Sequence, residues 1–266
     1  MSDLIEGYLG KTEEGRKSRI PAKLDFIQSF TGGFLALFMW AHMLLVSSIL
    51  ISKDFMYTVT KLLEGSFIFE GGNPLLVSLV AAVVFVIFIV HAALGMRKLP
   101  GNFKQYQIIK AHSKSMNHDD TKLWFIQAFT GFAMFFMGSV HLFIIMTHSD
   151  QIGPYASSDR VWSEYMWPLY ILLLLAVEFH GTIGLYRLCV KWGWFDGENP
   201  KATRKALKKV KWILTVFFLV LGFASLAAYM KIGYENAQNG TVGKKYEPTA
   251  QVIEYKITNK SVGGIA

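Results

Sequence analysis

Long apolar segments alternate with short polar segments along the whole chain. Five apolar segments, each nearly free of charged residues, lie at residues 26–52, 71–96, 123–149, 165–186 and 212–230. A helix of about 20 apolar residues spans a bilayer. The pattern therefore predicts an all-α protein with five transmembrane helices at 26–230, preceded by an N-terminal segment (1–25) and followed by a C-terminal tail (231–266).

The composition agrees with this interpretation. The chain of 266 residues is 52% hydrophobic and 17% charged, whereas soluble domains carry about 25% charged residues. The first 25 residues lack the apolar core of a cleavable signal peptide. One cysteine excludes an intrachain disulfide.

The positive charges indicate how the chain is oriented. Lys and Arg number 5, 2, 6, 1, 8 and 5 in the successive polar segments, from the N-terminus to the tail. This alternation follows the positive-inside rule, except in the tail. It places the N-terminus and the second and fourth loops in the cytoplasm, and it argues against nucleic acid as the reason for the net charge of +8.

Part of the chain repeats. The sequence FIQSFTG at 26–32 recurs as FIQAFTG at 125–131, and a histidine follows 16 residues after the first residue of each copy, at His42 and His141. A weaker repeat relates HAALG at 91–95 to HGTIG at 180–184. The pattern indicates a duplicated two-helix unit followed by a fifth helix.

Four histidines therefore lie inside four different apolar segments. His42 and His141 lie 10 and 8 residues before the predicted outer ends of their segments, and His91 and His180 lie 5 and 6 before the inner ends. We call His42 and His141 the outer pair and His91 and His180 the inner pair. His112, His118 and His148 have polar surroundings and are expected at the surface.

Ionisable residues inside a bilayer are costly and usually functional. Two histidines at each of two depths can ligate two stacked haems from both faces, and such iron has no open position, which suits electron transfer. No CxxCH motif is present, so the expected cofactors are two non-covalent b-type haems. Glycines near these positions either make room for haem or reflect ordinary close helix packing, which on residue type alone is the better expectation. The glycines are Gly32, Gly33, Gly95, Gly131, Gly138, Gly181 and Gly184.

Two acids are candidates for proton transfer. Glu178 is the only acid within the five segments and could take up or relay protons, or could be hydrogen-bonded to a neighbouring helix. Glu64 lies in an apolar part of the first outer loop, where it could accept a proton from a quinol near the outer pair. On residue type alone, a solvated loop acid is the better expectation for Glu64. Gln28, Ser29, Trp124 and Lys191 lie at about the depth where haem propionates need donors.

The chain resembles the dihaem cytochrome b subunit of quinol:fumarate reductases, in the succinate:quinone oxidoreductase superfamily. The resemblance covers nearly the whole length except the tail from about residue 233. Besides the four histidines, it depends on RIPAKLD (19–25), FIFEGG (67–72), GSVHL (138–142) and KWGWFDG (191–197).

The resemblance implies a multi-pass anchor in the bacterial cytoplasmic (inner) membrane for a flavoprotein and an iron–sulfur subunit on the cytoplasmic side. It implies that menaquinol is oxidised near the outer haem in anaerobic respiration, with electrons passing through the inner haem towards fumarate. In such a protein Glu64 would serve quinol deprotonation and Glu178 a proton pathway. Gln28, Ser29, Trp124 and Lys191 would contact inner-haem propionates.

Other functions remain open on the sequence. The same subunit could work in the opposite direction, as the anchor of a succinate:quinone reductase. It could be the cytochrome b anchor of another dehydrogenase, which fits the 99-residue repeat and the context of Glu64 less well. A haem or ion transporter is a third alternative, although pairing of all four histidines leaves none for transport. A dimer of the three-subunit complex is compatible with the sequence.

Overall fold

A computed structural model describes residues 17–116 and 118–248; the rest of the N-terminal segment and of the tail lies outside the described residues. The regular elements of the described residues are helical, which confirms the all-α class. In chain order they are α1 (Ile20–Val46), α2 (Lys53–Leu63), α3 (Pro74–Met96), α4 (Phe103–Met116), α5 (Asp119–Thr147), α6 (Pro154–Trp162), α7 (Trp167–Trp192) and α8 (Pro200–Gln238), with short 3-10 turns at Ser47–Leu50 and Ser149–Gln151.

Five helices within the described residues are long and apolar enough to cross a membrane, namely α1, α3, α5, α7 and α8. They match the five predicted segments, but several helices extend further. Helix α1 begins at Ile20, not at residue 26, and α8 runs from Pro200 to Gln238, well beyond 212–230. Hydropathy marks where charged residues begin, whereas lysine and arginine are good helix formers, so a helix can continue through them.

The outer surfaces of these helices are apolar. Phe129 is 75% exposed and Val220 is 65% exposed, the reverse of what water favours for large side chains. Contiguous exposed apolar surface marks contact with a membrane or a partner. Together with the helix lengths, it identifies the chain as a transmembrane protein.

Three shorter helices lie between the spans. The second loop contains α4. The first and third loops contain α2 and α6, which the apolar pattern did not predict because both helices are short and partly polar. Local signals fix their starts: the Ser52 side chain accepts a hydrogen bond from the Phe55 N–H at 2.9 Å, and Pro154 opens α6.

The chain folds into two compact units. Within the described residues, one contains the chain up to Met39, Val83–Ser139 and Ala176–Val216, and the other contains Trp40–Ala82, Val140–Leu175 and the chain from Phe217 onward. The first therefore holds the inner pair and the second holds the outer pair.

Each unit has its own core and its own polar links to α8. In the first, Leu123, Ile183 and Tyr186 pack together, and the Thr215 hydroxyl donates to the Thr182 hydroxyl at 2.9 Å. In the second, Ile49, Met56, Val161 and Tyr229 form the core, and the Ser225 hydroxyl donates to the Ser47 hydroxyl at 3.0 Å. Such hydroxyl pairs hold helices together in a bilayer.

Candidate functional site: two histidine pairs

The structure brings the four intramembrane histidines together as two pairs. The ring centroids of His91 and His180 lie 6.3 Å apart with an interplanar angle of 88°. Those of His42 and His141 lie 6.0 Å apart at 58°. All four side chains are half-buried, so each keeps some accessible surface. This is the pairing that the residue positions predicted.

Hydrogen bonds orient the rings of the inner pair. His180 Nδ1 lies 2.9 Å from the Gln127 carbonyl oxygen. A carbonyl oxygen can only accept, so Nδ1 carries the proton and the lone pair of Nε2 is left for a metal. His91 Nδ1 lies 3.1 Å from the Thr31 hydroxyl oxygen, and that hydroxyl donates to the Ile27 carbonyl at 2.8 Å. Its oxygen therefore accepts from His91 Nδ1, with the same consequence for Nε2. Bonds of this kind fix the tautomer of ligating histidines.

Gly32 and Gly131, the last residues of the two copies of the repeated segment, lie directly against the histidine rings of the inner pair. A Cβ added at Gly32 would lie 2.7 Å from His91 Cε1, and one added at Gly131 would lie 2.6 Å from His180 Cε1. Any side chain at either position would collide with the imidazole. The repeat is therefore also present in the helix contacts. Helix α1 packs against α3 through Gly32 in the same way as α5 packs against α7 through Gly131.

The remaining glycines pack against ordinary side chains. A Cβ at Gly138 would meet Phe88, one at Gly181 would meet Met39, and one at Gly33 would meet Leu188. Added Cβ atoms at Gly95 and Gly184 would meet Gln28 and Gln127, the glutamines at equivalent repeat positions. These contacts support close helix packing as the reason for glycine at these five positions.

The outer pair has a different environment. Tyr170 lies edge-on to His141, with ring centroids 5.6 Å apart. His141 Nδ1 is buried and has no hydrogen-bond partner among the described residues. A buried ring nitrogen without a partner is unusual in a folded protein, and the Nδ1 atoms of the inner pair, by contrast, are hydrogen-bonded.

Both pairs fit bis-histidine ligation of a haem iron. Metal–nitrogen bonds of about 2 Å, together with the size of two imidazoles, put ring centroids on either side of a metal about 6 Å apart. Both observed distances agree with that spacing. In the described residues no group of three or more His, Cys, Asp or Glu could hold a metal ion, so the pairs are the candidate metal sites there.

Two of the residues predicted to contact haem propionates, Lys191 and Ser29, belong to a cationic cluster. Lys191 Nζ lies 3.3 Å from the Ser29 hydroxyl oxygen and 3.3 Å from Asp25 Oδ2. Arg97 and Lys98 also pair with Asp25, at 2.8 and 2.9 Å. Three cations around one carboxylate leave excess positive charge, which suits an anionic group.

The other two predicted propionate residues differ. Gln28 Oε1 is buried and has no hydrogen-bond partner in the part of the chain that the structure describes, and the same holds for one guanidinium nitrogen of Arg97. Trp124 packs edge-on against Phe125 at 4.9 Å and makes no hydrogen bond to the cationic cluster. The prediction of propionate contacts did not include Asp25, Arg97 and Lys98, although their charge at the end of an apolar segment was a usable signal.

Glu64 is not the solvated acid that its residue type suggested. It is 2% exposed, and its Oε2 accepts from Lys61 Nζ at 2.6 Å. The loop returns over it: Asn73 N–H donates to the Glu64 carbonyl at 2.7 Å, and a Cβ at Gly72 would lie 2.8 Å from Glu64 Cβ. The expectation was wrong because the burial of Glu64 is determined by the end of α2 and by this turn, and not by its residue type.

Glu178 is completely buried in α7. Neither carboxyl oxygen has a hydrogen-bond partner among the described residues, so the alternative of a carboxyl group bonded to a neighbouring helix has no support there. The three histidines expected at the surface, His112, His118 and His148, are exposed.

Comparisons with known proteins agree with this site. Residues 104–222 match the family model described as succinate dehydrogenase/fumarate reductase transmembrane subunit. The chain is 58% identical over 232 residues to the fumarate reductase cytochrome b subunit of Wolinella succinogenes, covering 87% of this chain and 91% of the relative. It is 54% identical to the protein of the same name from Helicobacter pylori strain 26695, covering 90% and 92%. With five apolar helices and two intramembrane histidine pairs, the chain belongs to the family of succinate dehydrogenase/fumarate reductase transmembrane subunits.

Proposed function

We propose that this chain is the cytochrome b membrane anchor of a fumarate reductase complex. In this proposal it oxidises menaquinol near the outer pair and delivers electrons through two b-type haems to an iron–sulfur partner, while a flavoprotein partner reduces fumarate. The observation that carries the proposal is the presence of two histidine pairs with ring spacings of 6.0 and 6.3 Å on four membrane helices. The names of the relatives support the choice of complex.

The haems, when bound, would supply one-electron redox chemistry. His42 and His141 would hold the outer iron, and His91 and His180 would hold the inner iron. The Gln127 carbonyl and the Thr31 hydroxyl keep the inner rings in the ligating tautomer. Lys191 and Ser29 would bind propionate oxygens, together with Gln28 and Trp124 as expected from the sequence.

Glu64 and Glu178 would handle the protons. Glu64 is buried and pairs with Lys61, in an apolar loop of the unit that holds the outer pair. A positioned base of this kind can take the proton from a quinol hydroxyl as electrons leave. Glu178, which is buried and has no hydrogen-bond partner within residues 17–116 and 118–248, would exchange a proton inside the membrane.

The positive charge pattern favours the cytoplasmic side for the soluble partners and for the N-terminus. The membrane would be the bacterial cytoplasmic (inner) membrane. Dimerisation of the three-subunit complex is compatible with this arrangement and is not required by it.

The test is a Glu64→Gln variant of the intact complex, with Glu70→Gln as the control. Glu70 is a neighbouring acid whose side chain is exposed. General base catalysis contributes about 10²–10⁴-fold, so Glu64→Gln should lower menaquinol oxidation by roughly 100-fold or more while haem content is unchanged. The control should remain within about twofold of the parent, on the same principle.

Quinol oxidation by Glu64→Gln at the parent rate would contradict the role of Glu64. Purification without a flavoprotein and an iron–sulfur subunit would contradict the proposed complex and favour another anchor. Direction is tested separately, by comparing the rates of fumarate reduction with menaquinol and of succinate oxidation with menaquinone.

A further inference from the structure

A cavity of about 330 Å³ lies between α4 and the start of α5, and its lining includes no residue of either histidine pair. Its lining combines basic, hydroxyl and aromatic side chains: Tyr106, Lys110, Ser113, Lys114, Lys122 and Phe125. The lining residues of α4 recur every three or four positions, so they share one face of that helix.

The cavity carries excess positive charge. Lys110 and Lys114 form no salt bridge within the described part of the chain, and Lys122 Nζ lies 4.0 Å from Asp119 Oδ1, the limit of an ion pair. Lys110 Nζ is 5.8 Å from the centroid of the Tyr106 ring, over its face. Three lysines and a serine thus line the cavity, and in the described residues Asp119 is the one carboxylate that pairs with any of these lysines, an arrangement that suits a phosphate group.

A row of phenylalanines on α5 begins at the cavity. Phe125 lines the cavity, with its ring 6.4 Å from that of Tyr106 in an edge-on contact. Phe129, Phe132 and Phe136 follow on α5 at helical spacing, and they are 75%, 56% and 57% exposed. These positions lie on one face of the helix. Their exposed rings form a stripe that leads from the cationic cavity into the apolar span.

We propose that this cavity binds one anionic phospholipid, with the phosphate held by Lys110, Lys114 and Lys122 and an acyl chain lying along the phenylalanine stripe. Charge alone would also suit a free phosphate or an acidic protein surface. The stripe favours a lipid, because neither of those ligands would bury exposed phenylalanines within a membrane-spanning helix. Basic pockets beside membrane helices recognise anionic headgroups.

The test compares lipid binding to the purified full-length chain with the subunits it carries. Dioleoyl phosphatidylglycerol, or dioleoyl phosphatidylcholine as the neutral probe, is added to the detergent-solubilised protein, and bound lipid is counted by native mass spectrometry. The variant is Lys110→Gln/Lys114→Gln. The control is Lys104→Gln/Lys201→Gln, which changes net charge equally through exposed lysines that do not line the cavity.

We expect one phosphatidylglycerol to bind the parent in preference to phosphatidylcholine. Each lysine near a lipid surface contributes enough that removing two should weaken this binding roughly 30-fold, whereas the control should bind within about threefold of the parent. Equal weakening in variant and control, or no preference for phosphatidylglycerol in the parent, would overturn the proposal. Loss of a soluble subunit from the variant with lipid binding unchanged would also overturn it, since the cavity would then be a protein interface.

Alanine substitution of Phe129 tests the acyl track. Phe129 is 75% exposed, so its truncation leaves the packing of the helices intact. The Phe129→Ala variant should bind phosphatidylglycerol more weakly than the parent does, and it should not bind phosphatidylcholine more strongly than the parent does. Unchanged phosphatidylglycerol affinity in Phe129→Ala would contradict the placement of the acyl chain.

Discussion

Replacement of Gly131 by alanine should loosen the haem that we propose for the inner pair. Alanine is the better helix former by about 1 kcal/mol, so propensity alone would make the variant more stable. The added Cβ, however, would lie 2.6 Å from His180 Cε1 and 2.7 Å from His180 Nδ1. Because the glycine is fixed within α5, the imidazole must move away.

The size of the movement follows from the distances between atoms. Ordinary Cβ contacts begin at 3.4 Å, so the ring must shift by about 0.8 Å, the difference between 3.4 and 2.6 Å. That shift disturbs the 2.9 Å hydrogen bond from His180 Nδ1 to the Gln127 carbonyl. Overpacking of this kind costs about 1–3 kcal/mol, and loss of a bond that orients a ligand lowers metal affinity about 10–100-fold.

The assay measures haem per chain by pyridine haemochrome, together with a reductive titration. Gly131→Ala should lose haem from the inner pair and retain it at the outer pair. Gly95→Ala is the matched control, because its Cβ would lie at an ordinary 3.5 Å from Gln28 Nε2. Full haem content and unchanged potentials in Gly131→Ala would refute the idea that this glycine seats the His180 ring.

Further predictions concern Gly233 and Tyr246, in the unit that holds the outer pair. Gly233→Ala would place a Cβ against the Ser158 main chain, so the midpoint of thermal unfolding should fall, whereas Gly197→Ala, with open space around it, should leave the midpoint unchanged. Burial, with the 2.7 Å hydrogen bond to Asp54, raises the pKa of Tyr246. The folded state therefore holds this proton more tightly, so the contribution of Tyr246 to stability is intact below about pH 10 and is lost as pH rises further. Unfolding midpoints of the parent and Tyr246→Phe should diverge less at pH 11 than at pH 8, and a constant difference would contradict this.

The sequence was sufficient to predict the membrane helices and the histidine pairs. Apolar length defines a span, and depth along each span determines which histidine can meet which. The distances between paired rings agree with that reasoning for all four histidines. The repeat further predicted that α1 and α5 have equivalent surroundings. Gly32 and Gly131 do make equivalent contacts, with His91 and His180 respectively.

Features that depend on how the loops fold between the membrane helices were not predictable in this way. The burial of Glu64 results from the end of α2 and the turn that returns over it, and neither has a strong apolar pattern. The same holds for α6. The Asp25 cluster was missed because residues far apart in sequence meet there: Lys191 lies 166 positions from Asp25, and only packing of α1 beside α7 brings their charges together.

Ligation of one haem by each histidine pair can be tested directly on the chain purified with its subunits. The measurement is haem per chain, with a redox titration followed by low-temperature electron paramagnetic resonance spectra. We predict two b-type haems per chain with distinct potentials and low-spin bis-histidine signals. Each of the variants His42→Ala and His91→Ala should remove a different one of the two. A single haem, no haem, or an iron with an open axial position in the parent would contradict this assignment.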